Sequence, residues 1–269
     1  MKNDELFHHL HTTGLLMLPN CWDGGSARLA QAAGAVALAT SSGAVAWSHG
    51  YADGSHLPVD LVLATARAIG RVTTLPLTMD IEDGYSDDPA AVASLVHELL
   101  DAGVVGINIE DGAGPVDLLC RKVTAIGAAA RTVGVRLFVN VRTDVFLRGL
   151  VPAGERVAET VRRAALYREA GASGLFVPGI ADEGDIAAVV AAIDLPLNVM
   201  ALPSLPPPER LRELGVRRLS AGTAIGEAVF GQMQAAIGEF LATGRVTAPF
   251  PSLGYGTLNA LMVTAPSRA

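Results

Sequence analysis

Cysteine is scarce in this chain. Two residues, Cys21 and Cys120, cannot build a disulfide framework in 269 positions, so the expected compartment is a reducing cytoplasm. Charge is sparse as well, at 17% Asp, Glu, Lys and Arg, and the formal net charge of −7 lacks the basic stripe of a nucleic-acid binder. No apolar run approaches the roughly 20 residues that span a bilayer. Met1 to His11 carries Asp4, Glu5 and three His, with neither a basic n-region nor an apolar h-region, so it does not read as a signal peptide. Neither nucleic acid nor membrane is an expected partner.

What the chain has in quantity is small and medium apolar side chains. Half of it is hydrophobic while aromatics make up only 5%, which suits tightly stacked strands and helices. Apolar runs that read as buried parallel strands occupy Leu15–Pro19, Ala35–Thr40, Leu75–Asp80, Val104–Glu110, Leu137–Arg142, Gly174–Val177, Leu195–Met200 and Arg217–Ala221. Each is followed by a helical pattern. Eight such units in a chain near the typical ~250 residues predict an α/β fold of the (β/α)8 TIM-barrel type. The rival, a doubly wound open sheet, lacks its Gly-rich fingerprint after the first strand.

Helix boundaries are locally marked. Asp88 reads as an N-cap with Pro89 at the first helical position, Val92, Leu95, Val96 and Leu99 as one stripe, and Gly103 as the stop. The segment from Glu155 to Ala170 is expected to bury Val157, Val161, Ala164 and Ala165, with Arg156, Arg162 and Arg163 on a solvated face. Helices are also expected near Asp182, after Pro206-Pro207-Pro208, and from Thr223 to Thr243. The barrel is assigned to residues 1–244. Residues 245–269, with Pro249, Pro251, Gly254, Gly256 and an apolar stretch from Leu258 to Val263, form an extra tail expected to pack on the barrel or on a neighbouring subunit.

Three of the strands end in charge: Asp80-Ile81-Glu82-Asp83-Gly84-Tyr85, Asn108-Ile109-Glu110-Asp111 and Val141-Arg142-Thr143-Asp144. A buried strand tolerates charge only where it leaves the core. In a barrel those ends converge on one rim, so distant carboxylates come to share a pocket. Carboxylates crowded together repel unless a proton or cation relieves them. A hard divalent ion such as Mg2+, bound through oxygen and water, is the economical relief. Asp83, Asp87 and Asp88 lead into a helix and read instead as capping or ion-pairing residues.

These motifs, with Ser41-Ser42-Gly43-Ala44 after the second strand and Asp53 beyond it, resemble the isocitrate lyase/phosphoenolpyruvate mutase superfamily from about Leu15 to Gly244. The resemblance implies a Mg2+-dependent barrel acting on 2-oxo or 2-hydroxy carboxylates. It also implies a homo-oligomer, dimer or tetramer, with a C-terminal helix exchanged between subunits. It makes Asp80 the direct metal ligand, with Asp53, Glu82 and Glu110 holding the metal's waters. Glu82 stands where the family more often has Asp, a difference of one methylene that a water-mediated contact tolerates. Thr40, Ser42, Gly43, Ala44, Asp80, Arg142 and Asn198 become the substrate-binding set, and Arg142, Glu110 and Asp53 the catalytic set. Arg142 offers a planar fork to a carboxylate, which Lys would not reproduce; pairing with Glu110 or Asp144 is the competing role.

The chain departs from the superfamily after the fourth strand. The lyases' Lys-Lys-Cys-Gly-His loop and the phosphonate enzymes' Lys- and Asn-bearing loop are both absent, and Gly112-Ala113-Gly114-Pro115 leads directly into a helix carrying Cys120. Val177-Pro178-Gly179 replaces the histidine that phosphonate-processing members place after strand six. Cys21, His49 and His56 lie in loops near the rim. Three readings follow: a carbon–carbon lyase or hydrolase, a phosphonopyruvate/phosphoenolpyruvate-type mutase or hydrolase, and a 2-oxo-acid-binding protein without catalysis.

Overall fold

All eight apolar runs form strands, and every strand pairing is parallel. In the computed structural model, which describes residues 1–247 and 252–263, the strands are β1 (Leu16–Leu18), β2 (Asn20–Cys21), β3 (Leu38–Thr40), β4 (Leu77–Asp80), β5 (Gly106–Glu110), β6 (Phe138–Arg142), β7 (Gly174–Phe176), β8 (Leu197–Met200) and β9 (Arg218–Ser220). Nine strands arise from eight runs because Pro19, which has no N–H to donate, splits the first. β1 pairs with β9 and β2 with β3, so the two halves of one stave bring the ends of the sheet together. The result is a near-closed barrel. Several runs begin up to three residues before pairing does: Val104 and Val105 are buried ahead of β5, whereas Ala35 is half-buried and Val36 exposed ahead of β3.

The helices are α1 (Asn3–Leu10), α2 (Gly24–Ala32), α3 (Ser42–Ser48), α4 (Val59–Val72), α5 (Pro89–Asp101), α6 (Val116–Val133), α7 (Arg156–Ala170), α8 (Glu183–Ala192), α9 (Pro208–Glu213), α10 (Ala224–Thr243) and α11 (Tyr255–Val263). Outward-facing Leu77, Met79, Ile107, Ile109, Val139 and Val141 are buried beneath the helical layer. In α5 the Asp88 side chain accepts from the Ala90 N–H, and Val92, Leu95, Val96 and Leu99 are buried as a stripe. Each such side chain contributes roughly 1.5–3 kcal/mol of transfer free energy.

Inside the barrel, Phe7 of α1 enters the N-terminal end and packs with Leu16, Leu18, Ala37, Ala39 and Phe138. Gly106 makes room for it: a Cβ there would lie 2.7 Å from Phe7 Cε1. Above this apolar floor the interior turns polar. Asn108 lies opposite Asp80 and Asn140, and Glu110 opposite Arg142, as the parallel register dictates.

One helix face differs from expectation. In α7 the fully buried positions are Thr160, Ala164 and Tyr167, while Val157 and Val161 are half-buried and Ala165 is exposed. Arg163 is therefore not on a solvated face. Its Nη1 donates to Asp111 Oδ2 at 2.9 Å and its Nε to Glu159 Oε1 at 2.7 Å. The rotation follows from Tyr167, whose ring is buried while its hydroxyl bonds Asp111. At the C-terminus, α11 packs on α2, and Arg28 Nε donates to the Leu261 carbonyl at 2.9 Å. Pro249 and Pro251 fall outside the described residues.

Candidate active site

The strand ends build the rim from the barrel register. Arg142 Nη1 lies 2.7 Å from Glu110 Oε2. Its Nε and Nη2 donate to Asp144 Oδ1 and Oδ2 at 2.7 and 3.1 Å. Asp144 is fully buried and accepts again from Arg148 Nε at 2.8 Å. Two of the five guanidinium N–H groups are thus taken by Asp144, and Nη1 forms an ion pair with Glu110. Burial disfavours the charge on Arg142, but Glu110 and Asp144 outweigh it and hold the group above its ordinary pKa.

Asp80 closes the strand beside it. Its backbone N–H donates to Thr40 Oγ1 at 2.9 Å, and its Oδ1 accepts from the Glu82 N–H at 3.1 Å. Burial raises its pKa, Arg142 opposes the rise, and Asp53 adds to it. Glu82 is buried with a left-handed backbone, φ 53°. Its carboxylate accepts from the Ser55 amide and from Tyr85 Oη at 3.2 Å. Burial raises this group too, with Asp53 and Asp80 contributing. Glu110 is pushed up to about 8, first by burial and then by Asp80, Asp144 and Glu82, against the pull of Arg142. Asp53 is exposed, yet its carboxylate faces the β3–α3 turn: a Cβ on Gly43 would lie 3.3 Å from Asp53 Oδ2.

Glu82 is buried, Asp80 and Glu110 are half-buried, and desolvation and mutual repulsion raise the pKa of all three. Among the described residues no three Asp, Glu, His or Cys side chains form an all-protein metal cage. Mg2+ does not require one, since it keeps several waters and takes one or two carboxylates. One rim aspartate surrounded by three further acids fits such an ion, held largely through water.

The other expected residues divide. Thr40 is fully buried and supports Asp80. Ser42, Gly43 and Ala44 form the first turn of α3, but the Ala44 N–H donates to Ser41 Oγ at 3.3 Å, so this amide is not left for a ligand. Asn198 Oδ1 accepts from Ser220 Oγ at 3.1 Å, and its buried Nδ2 has no partner among the described residues. The loop after β5 is short, and Cys120 is helical in α6, lining a cavity between α6 and α7 with Leu166 and Glu169. Burial raises its thiol pKa and takes that of Cys21 up to about 12, so neither is a poised thiolate. His49 Nε2 lies 3.2 Å from Thr65 Oγ1 of α4, and His56 is exposed. Three residues were not anticipated: Ser55 and Tyr85, which hold Glu82, and Arg218, buried inside the barrel. Of these only Tyr85 had a sequence signal, its place in the acidic motif.

Fold and rim together define an α/β barrel with a carboxylate-rich, arginine-bearing site at the strands' C-terminal ends. The chain belongs to the family described as phosphoenolpyruvate phosphomutase, whose pattern matches residues 7–241, within the isocitrate lyase/phosphoenolpyruvate mutase superfamily. A Mycobacterium tuberculosis protein of uncharacterised function is 36% identical over 223 residues, 81% of each chain. A crystal structure from Burkholderia cenocepacia J2315, carrying a provisional phosphonomutase name, is 38% identical with a TM-score of 0.84, covering 88% of this chain and 98% of that one. A Corynebacterium glutamicum protein, provisionally named 2-methylisocitrate lyase 2, is 27% identical over 245 residues, 84% of this chain and 76% of its own. Members of the superfamily are lyases and mutases. No helix among the described residues is long and apolar enough to cross a membrane.

Proposed function

We propose that this chain is a Mg2+-dependent lyase or hydrolase that breaks a carbon–carbon bond in a 2-hydroxy or 2-oxo (di)carboxylate. It would bind 2-oxo acids such as oxaloacetate, 2-oxoglutarate or pyruvate at the rim. The observation that carries this reading is the crowding of carboxylates around Asp80, with Arg142 beside them. Asp80 would hold the ion directly, and Asp53, Glu82 and Glu110 its waters. When bound, the ion supplies Lewis-acid stabilisation of negative charge on the oxygen of a 2-oxo acid.

The chain's own groups do the rest. Arg142, locked by Asp144 and paired with Glu110, presents its remaining N–H groups to a carboxylate. Glu110, whose pKa burial raises against the pull of Arg142, stands opposite Arg142 at the rim, where its carboxylate would hold a water of the ion. Asn198 Nδ2 and the first-turn amides of Ser42 and Gly43 are further donors. The same reading makes the chain a cytoplasmic homo-oligomer, with α10 as the contact helix.

Phosphonopyruvate or phosphoenolpyruvate chemistry is the second reading, supported by the likeness to the Burkholderia protein. It fits less well at the turn after β7. A Cβ on Gly179 would lie 2.9 Å from the Leu147 backbone, and this turn carries no histidine.

The deciding experiment is a turnover screen of oxaloacetate, methylisocitrate, alkylmalates and phosphonopyruvate, with Mg2+ and with EDTA. Cleavage of a carboxylate only with Mg2+ is expected. Turnover of phosphonopyruvate alone would favour the second reading, and 2-oxo-acid binding without turnover of any compound would mean a binding protein.

A further inference from the structure

The barrel interior holds a cation that none of the roles above uses. Arg218 of β9 is 1% exposed. Its Nη1 has no hydrogen-bond partner among the described residues. Burial lowers its pKa to about 9, and the one charge that pulls it back up is Asp80. A buried guanidinium without a paired carboxylate costs stability, because its desolvation is only partly offset. Its persistence calls for a function.

Its contacts show where it acts. Arg218 Nη2 donates to Asn108 Oδ1 at 3.2 Å. The same oxygen accepts from Asn140 Nδ2 at 2.9 Å. With its oxygen doubly engaged, the Asn108 amide has only its NH2 to offer to Asp80, its register partner on β4, whose ionised form Asn108 favours. On the other side, Arg218 Nε donates to Ser220 Oγ at 3.2 Å, which turns the serine proton toward Asn198 Oδ1 at 3.1 Å. Asn198 is thereby fixed with its buried Nδ2 unpartnered among the described residues. One buried cation orients two amides, each with its NH2 end directed away from it.

We propose that Arg218 is a positioning residue for the rim: through Asn108 it sets the Asp80 carboxylate, and through Ser220 it aims the donor of Asn198. It touches neither metal nor substrate. Without the guanidinium, Asn140 alone holds the Asn108 oxygen, so the amide is less firmly kept from turning that oxygen, a repulsive acceptor, toward Asp80. The inference rests on the functional reading above, in which Asp80 holds Mg2+ and the rim takes a 2-oxo acid.

The test compares the full-length chain with Arg218→Met, Asn108→Leu and the double variant. Two quantities are measured: Mg2+-dependent oxalate affinity by calorimetry, and the urea unfolding midpoint. Removing the buried charge while filling its volume should leave the Arg218→Met midpoint unchanged or higher. Oxalate affinity should fall about 10- to 100-fold, the range of a hydrogen bond to a charged group. In the Asn108→Leu background, Arg218→Met should cost less than about threefold more, because coupled residues are not additive. A purely structural Arg218 would instead lower the midpoint and lose affinity additively. Either result, or wild-type affinity in Arg218→Met, overturns the inference while leaving the functional reading intact. If Arg218→Met fails to fold, Arg218→Gln gives the same comparison. A wild-type chain that binds no oxalate with Mg2+ would overturn both.

Discussion

At the scale of single residues, the site is a balance between buried acids and few cations. Arg142 carries most of that balance, bound twice to Asp144 and once to Glu110. Arg142→Lys keeps the charge but loses the planar fork, so Asp144 and a ligand carboxylate can no longer be served together. Oxalate binding should weaken by roughly 1.5–3 kcal/mol, read by calorimetry; unchanged affinity would assign Arg142 to structure alone. Arg142 and its acid partners were legible because a charge ending an apolar strand has one place to go. Ser55 was not, since its contact with Glu82 spans 27 positions and depends on a left-handed backbone at both residues. Arg218 was also hidden, because its strand context looks like that of an ordinary surface charge at an element's start.

At the scale of elements, the eight staves and their parallel order followed from the apolar runs, while the break at Pro19 that makes nine strands and the rotation of α7 did not. Period and burial are set by different partners: α7 turns to bring Tyr167 and Arg163 to Asp111, a contact no helical wheel contains. The loop after β5 gives a sharper test. Gly114 N–H bonds the Asp111 carbonyl at 2.6 Å and α6 begins at Val116, which places Cys120 on the helical layer. Cys120→Ser should keep the wild-type rate on whichever carboxylate the screen identifies. A folded variant slowed about 10²–10⁴-fold, the cost of losing a general acid, would mean that this segment reaches the site.

At the scale of the whole molecule, α10 is the element the single chain does not explain. Val229, Met233, Ile237 and Leu241 recur every four residues and are 42%, 48%, 52% and 78% exposed. Side chains at that spacing form one stripe, and an apolar stripe of this length marks an interaction surface. A second copy is the proposed partner. Met233→Glu with Ile237→Glu should shift the protein to monomer in sedimentation, with the barrel still folded by circular dichroism. A wild-type protein that is already monomeric would remove α10 from that role.

The central claim is that Asp80 and its neighbouring acids hold a divalent ion that in turn holds a 2-oxo acid. It is tested most directly by titrating oxalate into the wild type and into Asp80→Ala, each with Mg2+ and with EDTA. Asp80 lies at the rim, so the variant should keep its folded structure. Wild-type binding should require Mg2+, and Asp80→Ala should lose it by more than the 10- to 100-fold, roughly, that outer-shell partners command. Mg2+-dependent binding of undiminished affinity in Asp80→Ala, or wild-type binding indifferent to EDTA, would contradict the account.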